Sequence, residues 1–356
     1  MQGLFFDCRY IRIDHHDGIS RFSAGLFAAL NKLTKVTAVI NDLRQLEKLP
    51  AGIEFVKITS PTSPVESLVA LRLNKLGAKV VFSPMQTIGS FGRKFKLVLT
   101  VHDLIYYRHP APPPSFAWPI KLLWRLYHLS YLPQRLLLNR SDAVATVSKT
   151  TQSLISKHKL TRRPTSVVYN AAGDDSLPPA PSGRPSGRQT LVYMGSFMDY
   201  KNVEVLIKGM ADLPNHELIL LSRISDSRRH ELQALAPSGA KIKFLNGVTD
   251  KKYHELLSGS VALVTGSRDE GFGIPLVESM SRGIPIVVSD IPIFKEIGGD
   301  AATYFNQDDP NAFAQAIRSI DSESAWLAKS KLSQVQAKKF SWTNSAKALL
   351  ELLQQI

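Results

Sequence analysis

Gly266-Ser267-Arg268-Asp269-Glu270-Gly271-Phe272-Gly273-Ile274-Pro275-Leu276-Val277-Glu278 follows directly on Val261–Thr265, a short apolar run that includes β-branched residues. A run of that kind, a loop with three glycines and a restart at Pro275 read as strand, loop and helix, the unit of a parallel sheet covered by helices. Gly271 and Gly273 let the backbone come close to a ligand, and amides at the positive end of a helix suit a diphosphate. Glu270 precedes the helix and Glu278 is expected on its first turn. Carboxylates beside an anion site make sense as acceptors for hydroxyl groups. A Gly-rich turn with one capping acid would account for Glu278 alone.

The same alternation recurs along the chain. Strand candidates are Gly3–Phe6, Val36–Ile40, Val80–Phe82, Leu97–Val101, Ala143–Val147 and Ser166–Tyr169, then Thr190–Met194, Glu217–Leu221, Ile242–Phe244, Val261–Thr265 and Ile286–Ser289. Helical patterns lie at Ile19–Leu33, Ser148–His158, Val203–Met210, Lys252–Leu257, Pro275–Ser281 and Pro310–Ile317. Residues 172–188, dense in Pro, Gly and Ser, read as an exposed linker between domains at 1–171 and 189–338. The segment 339–356, with an amphipathic run at Ser345–Leu353, is expected to pack as a helix near the domain junction. The expected fold is α/β, two doubly wound Rossmann-like domains facing a cleft, with ligands at the carboxyl ends of the strands.

Composition narrows the classes. The chain has 356 residues and a formal net charge of +14, enough for two domains with their own cores. Residues 1–170 hold 24 Lys and Arg against 9 Asp and Glu, a net of +15, and the remainder carries −1. A field of that sign attracts nucleic acid, anionic lipid or phosphate-bearing substrates. The single Cys8 excludes a disulfide framework and a multi-cysteine metal site. No stretch reaches about 18 uncharged apolar residues, so the expectation is a soluble, cytoplasmic protein.

From Glu270 through Gly271-Phe272-Gly273 to Glu278, and on through Ser281–Asp290 and Glu296-Ile297, the chain resembles the retaining nucleotide-sugar glycosyltransferases of family four, with the GT-B fold. The resemblance implies that Glu270 contacts hydroxyls of the transferred sugar and Glu278 the ribose of the donor nucleotide. Tyr193-Met194-Gly195-Ser196 leading to Lys201-Asn202 resembles that family's Gly turn and Lys-Asn element, in which the Lys neutralises donor phosphates; Ser196 and Tyr200 stand where many relatives have Arg. Arg223 is expected to supply the missing charge from the next strand end. Val248, in Phe244–Val248, resembles a loop against the nucleotide base, and the amides at Phe272, Gly273 and Ile274 complete the phosphate site.

In the first half, Asp14–Phe22 resembles the family's first loop, with Gly18 approaching the diphosphate. His15 and His16 there are a weak case for a metal, since consecutive side chains diverge and no second cluster completes coordination. Thr100–Leu104 resembles a His-Asp element whose His102 lies near the transferred sugar. Ser148 reads as a helix cap and Asn170 as an interdomain loop residue.

The implied reaction moves a hexose, mannose in view of the Glu-Gly-Phe-Gly-Ile-Pro form of the loop, from a nucleotide diphosphate such as GDP to a hydroxyl of a glycan or lipid-linked acceptor. The front-face displacement implied by the resemblance gives the acceptor proton to the leaving phosphate, needs no cofactor or metal, and gains from domain closure that excludes water. Between Arg108 and Arg163 ten Lys or Arg accompany one acid, Asp142, with Ile120, Leu123, Trp124, Tyr127 and Tyr131 at helical spacing. That stretch is either a helix at an anionic membrane surface, on its inner face, or a core helix with solvated flanks. Other readings are another GT-B enzyme such as an epimerase or a phosphorylase, a silent sugar-nucleotide binder, and a basic nucleic-acid-binding protein, which lacks any matching motif here.

Overall fold

The computed structural model describes residues 2–14, 17–112, 116–173, 181–187 and 189–356. It divides into two compact units, one of residues 1–175 with 341–356 and one of residues 176–340. His15 and His16, and residues 174–180 and 188 of the linker, lie outside the described residues.

The first unit is built on seven parallel strands: β1 (Leu4–Asp7), β2 (Thr37–Ile40), β3 (Phe55–Lys57), β4 (Val80–Ser83), β5 (Lys96–Val101), β6 (Ala143–Thr146) and β7 (Thr165–Val167). Their order is β3-β2-β1-β4-β5-β6-β7, with the reversal of direction between β1 and β4. The second unit has six: β8 (Gln189–Tyr193), β9 (His216–Leu220), β10 (Lys241–Phe244), β11 (Ala262–Thr265), β12 (Ile286–Ser289) and β13 (Ala302–Phe305), in the order β10-β9-β8-β11-β12-β13. Every described pairing is parallel, and Leu263 sits between Val192 on β8 and Ile286 on β12. Central strands such as β4 and β11 are buried along their whole length, as strands covered on both faces must be.

Two strands escaped the sequence pattern, β3 and β13. Both are edge strands, and Phe55 and Lys57 of β3 are exposed, so neither shows the continuous apolar run that marks the interior. The helix Glu323–Ala337 was also missed. Its buried face is Trp326, Ser330, Ser333, Gln336 and Ala337, helical in spacing but mostly small or polar, so no apolar stripe shows. Trp326 is fully buried and its Nε1 donates to Val261 O at 2.8 Å.

The linker expectation needs correction over 181–187. Arg184 Nη2 donates to Asp321 at 2.8 Å and its backbone N–H to Glu323 at 3.0 Å, so this part is tied to the second unit at Arg184, while Ser182, Ser186 and Gly187 are exposed. The C-terminal helix, Trp342–Gln354, belongs to the first unit. There it packs on the helix Gly18–Leu33, Trp342 Nε1 donates to Gly173 O at 2.8 Å and the ring lies edge-on to Phe22 at 6.2 Å. Among the described residues no helix is long and apolar enough to cross a membrane.

Trp342 anchors this return of the chain, so Trp342→Ala is expected to cost the first unit about 3–5 kcal/mol. Urea unfolding followed through the remaining first-unit tryptophans, Trp118 and Trp124, measures it as a lower midpoint.

Candidate active site

In the second unit the predicted residues collect at the carboxyl ends of β8, β9, β10 and β11. After β8 the chain turns through Gly195 and Ser196, whose carbonyl accepts from the Tyr193 hydroxyl at 2.6 Å, and reaches Lys201. Asn202 is left-handed at φ 48° and starts the helix Val203–Gly209; its amide donates to Gly266 O at 3.1 Å and Gln307 O at 2.7 Å. Arg268 N donates to Tyr200 O at 2.7 Å. At Gly266 a Cβ would stand 2.8 Å from Asn202 O, so only glycine admits this approach. The loops after β8 and β11 are thus tied side by side.

This tie brings Lys201 and Glu270 together, Nζ to Oε1 at 2.5 Å, with both side chains mostly shielded, 14% and 16% exposed. Ser267 Oγ donates to the same carboxylate oxygen at 3.1 Å. Beyond Glu270, Gly273 adopts φ 94° as the N-cap of the helix Ile274–Ser281, and no side chain caps that end. Such a helix start offers main-chain donors and a positive dipole end to an anion. The Phe272 ring is buried edge-on against Phe340 at 5.6 Å, so only its backbone is available at this loop.

Glu278 stands on the second turn of that helix, not the first, because the helix begins at Ile274. It is buried, and Tyr253 OH donates to Oε2 at 2.9 Å. Tyr253 lies on the helix Asp250–Ser258, which follows the loop that contains Val248. Its part was not legible in the sequence, where no spacing links it to Glu278. Arg223 follows β9, with its aliphatic stem over Gly247, next to half-exposed Val248. Among the described residues Arg223 has no ionic partner. Arg228 was also overlooked: it donates to Phe197 O at 3.1 Å and pairs with Glu204 and Glu231, so it braces the Gly turn instead of offering a second open cation.

The first unit brings Gly18 and His102 into one neighbourhood. Gly18 opens its helix after Asp17, whose Oδ1 accepts from Ser20 N at 2.8 Å. Phe22, one turn on, meets the His102 ring edge-on at 5.1 Å. His102 Nε2 donates to Pro84 O at 2.8 Å, because a carbonyl can only accept, which leaves Nδ1 as the acceptor nitrogen. Burial holds this imidazole below its ordinary pKa, against the pull of the Pro84 carbonyl and of Asp103 and Asp17. Asp103 accepts from Ile105 N at 3.0 Å and so shapes the turn. Nearby, buried Arg9 pairs with Asp7 at 2.8 Å and Glu66 at 2.7 Å; burial opposes its charge, yet the two carboxylates raise its pKa. Among the described residues no group of three His, Cys, Asp or Glu gathers as a metal set.

Two parallel-sheet units, one with a Lys-Glu pair and a glycine-rich helix start at its strand ends, give this chain the architecture of the GT-B glycosyltransferases. More particularly, residues 178–338 match the family described as "Glycosyl transferases group 1". The chain is 28% identical over 325 residues to the O-antigen chain mannosyltransferase RfbU of Salmonella typhimurium, covering 85% of this chain and 87% of that protein. It is 29% identical over 150 residues to the GDP-mannose:cellobiosyl-diphosphopolyprenol alpha-mannosyltransferase of Xanthomonas oryzae pv. oryzae, 40% of each chain. The solved sucrose-phosphate synthase of Thermosynechococcus elongatus matches in fold, with a TM-score of 0.73 over 99% of this chain and 98% of that one at 17% identity.

The geometry sets two expectations. Tyr253→Phe should keep the fold and weaken nucleotide binding about 10–100-fold, because Glu278 loses a buried donor worth about 1.5–3 kcal/mol; isothermal calorimetry with nucleoside diphosphates measures it. His102 should titrate below about pH 6.5, as an Nε2–H tautomer. Since the unfolded chain takes up that proton at higher pH, the contribution of neutral His102 to stability is complete above about pH 6.5 and declines as pH falls. Imidazole ¹⁵N shifts give the midpoint and tautomer.

Proposed function

We propose that this glycosyltransferase moves mannose from GDP-mannose, with retention at the anomeric carbon, to a hydroxyl of a glycan or lipid-linked acceptor. The observation that supports it most is the Lys201–Glu270 pair beside an uncapped helix start, because a diphosphate-sugar presents both partners with what they lack. Lys201 turns to the diphosphate with Arg223 and the amides around Gly273, while Glu270 accepts from sugar hydroxyls. Glu278, oriented by Tyr253, takes the ribose. His102 and Gly18, neighbours within the first unit, are the residues that the family resemblance assigns to the sugar and to the diphosphate. Mannose and GDP are favoured by the loop sequence and by the names of the two relatives above.

In the reaction the C1–O bond to the β-phosphate breaks as the acceptor oxygen bonds to C1 on the same face. The acceptor proton passes to the departing phosphate. Cations and amides stabilise the charge that develops on that leaving group, the kind of preorganised electrostatics that supplies most catalytic power. This reading needs no metal or cofactor, since main-chain donors and two cations serve the phosphates. It also places the enzyme in the cytoplasm, peripheral on the inner face of the membrane, with the basic half of the chain towards anionic lipid and no role for nucleic acid.

Thermal shift with GDP, UDP, dTDP and their sugars tests the donor, since binding to the native state alone raises stability by mass action. GDP and GDP-mannose are expected to give the largest shift. Lys201→Ala and Glu270→Gln should each lower mannosyl transfer about 10²–10³-fold. A protein that no nucleotide stabilises, or a Lys201→Ala variant with wild-type turnover, would overturn the reading.

A further inference from the structure

One surface of the first unit has no part in donor chemistry. The helix Trp118–His128 buries none of its residues. Trp118, Leu122, Leu126 and Leu129 are 76%, 51%, 54% and 77% exposed, and their spacing puts them on one face. Lys121 and Arg125 fall on that same face. Apart from Trp118, the aromatic residues turn the other way: Trp124 lies edge-on to Tyr106 at 4.7 Å, and Tyr131 stacks on Tyr107 at 4.3 Å and His158 at 4.4 Å. The aromatic set named from the sequence therefore anchors the helix, and the leucines are what it presents; no described residue covers them.

The next helix, Leu132–Asn139, continues the surface. Leu132 and Leu136 are 57% and 67% exposed, and Arg135 and Asn139 share their face. Arg135 and Asn139 in turn line a cavity of about 970 Å³ with Lys159, Arg162 and Arg163, and no acid lines it. Asn139 organises the wall: its amide donates to Arg135 O at 2.8 Å and its Oδ1 accepts from Arg162 N at 3.0 Å. Among the described residues the Arg135 and Arg163 guanidinium groups bond carbonyl oxygens, of His158 at 2.9 Å and Asn139 at 3.1 Å, and meet no carboxylate. Burial, then Lys157, Arg108 and Arg135, hold His158 below its ordinary pKa, a sign of the local positive field. Asp142, the one acid in this stretch, is already bound to Arg93 at 2.6 Å.

We propose that this surface docks on an anionic bilayer, with the leucine face in the headgroup boundary and a lipid phosphate in the cavity between Arg135, Lys159, Arg162 and Arg163. Apolar residues interleaved with long basic side chains on one helix face fit that boundary, where the stems lie among acyl chains and the cations reach phosphates. Single-stranded nucleic acid would call for exposed aromatic platforms, whereas here the exposed face is mainly leucine. The inference deepens the membrane contact of the proposed function and is independent of which sugar is moved.

Co-sedimentation of the full chain with vesicles tests it. The protein should bind phosphatidylglycerol–phosphatidylcholine vesicles at low salt and phosphatidylcholine vesicles at least tenfold more weakly. Lys159→Glu with Arg162→Glu should abolish the preference for anionic lipid, and Leu122→Glu with Leu126→Glu should reduce binding at least tenfold at every salt concentration. All these positions are exposed, and circular dichroism with an unchanged GDP thermal shift confirms a folded donor unit. Lys201→Ala should bind vesicles as wild type does, so loss of the donor reading and loss of this one are separately visible. Wild type that stays off anionic vesicles at low salt, or variants that bind like wild type, would overturn the proposal. So would stabilisation by inorganic phosphate, lost in Lys159→Glu with Arg162→Glu, without vesicle binding, since the cavity would then be a site for free phosphate.

Discussion

The approach of Gly266 to Asn202 is the contact on which the geometry of the second unit's strand ends depends. It lets the loop after β11 run against the turn after β8 at a separation no side chain permits, and it places Lys201 over Glu270. The bonds that hold it, from the Asn202 amide to Gly266 O and Gln307 O and from Arg268 N to Tyr200 O, are main-chain or short-side-chain bonds. Such bonds fix position more tightly than an ion pair between long side chains. The Lys201–Glu270 pair consequently rests on a frame fixed by glycine and backbone.

The first unit solves the same problem with charge. Arg9 bonds Asp7 and Glu66 through paired contacts and adds Thr59 O at 3.1 Å, so the end of β1 and the segment around Glu66 share one buried cation. A buried ion cluster adds little net stability because desolvation opposes the attraction, but removal of one member leaves an unpaired charge. It therefore specifies loop position. A cavity of about 330 Å³ lined by Arg9, Tyr10, Asp17 and Gln45 opens beside it, next to the helix that Gly18 begins.

Much of this was legible in the sequence because interior parallel strands are continuous apolar runs and glycine-rich turns after them are chemically distinctive. Val261–Thr265 and Ile286–Ser289 appear within a residue of their place for that reason. What escaped was short helices such as Val69–Lys75 and Pro292–Gly298, too brief for a periodic pattern, and structure whose burial is not apolar. The helix Glu323–Ala337 packs serines and a glutamine inward, and the edge strands β3 and β13 lack a two-sided core. At the site, Glu270 and Lys201 stood out as residue types in a pattern, whereas Tyr253, which orients Glu278, lies 25 residues away on another helix. The aromatic spacing of 118–131 was visible, but its direction was not: periodicity gives a face and cannot say which side faces the core.

The Lys201–Glu270 pair has a further consequence in the proposed reaction. Without donor, each side chain neutralises the other in a pocket where both are mostly shielded, so neither is left as a buried unpaired charge. In the proposed reaction a nucleotide sugar brings about two negative charges to the Lys, which exchanges its partner, and the released carboxylate, still held by Ser267 Oγ, then faces sugar hydroxyls. A bare nucleoside diphosphate takes Lys201 without giving Glu270 a replacement, while the intact nucleotide sugar satisfies both. On the proposed function, discrimination in favour of the glycosylated donor follows from leaving or not leaving one carboxylate unpaired, a penalty larger than the gain from a single hydroxyl contact.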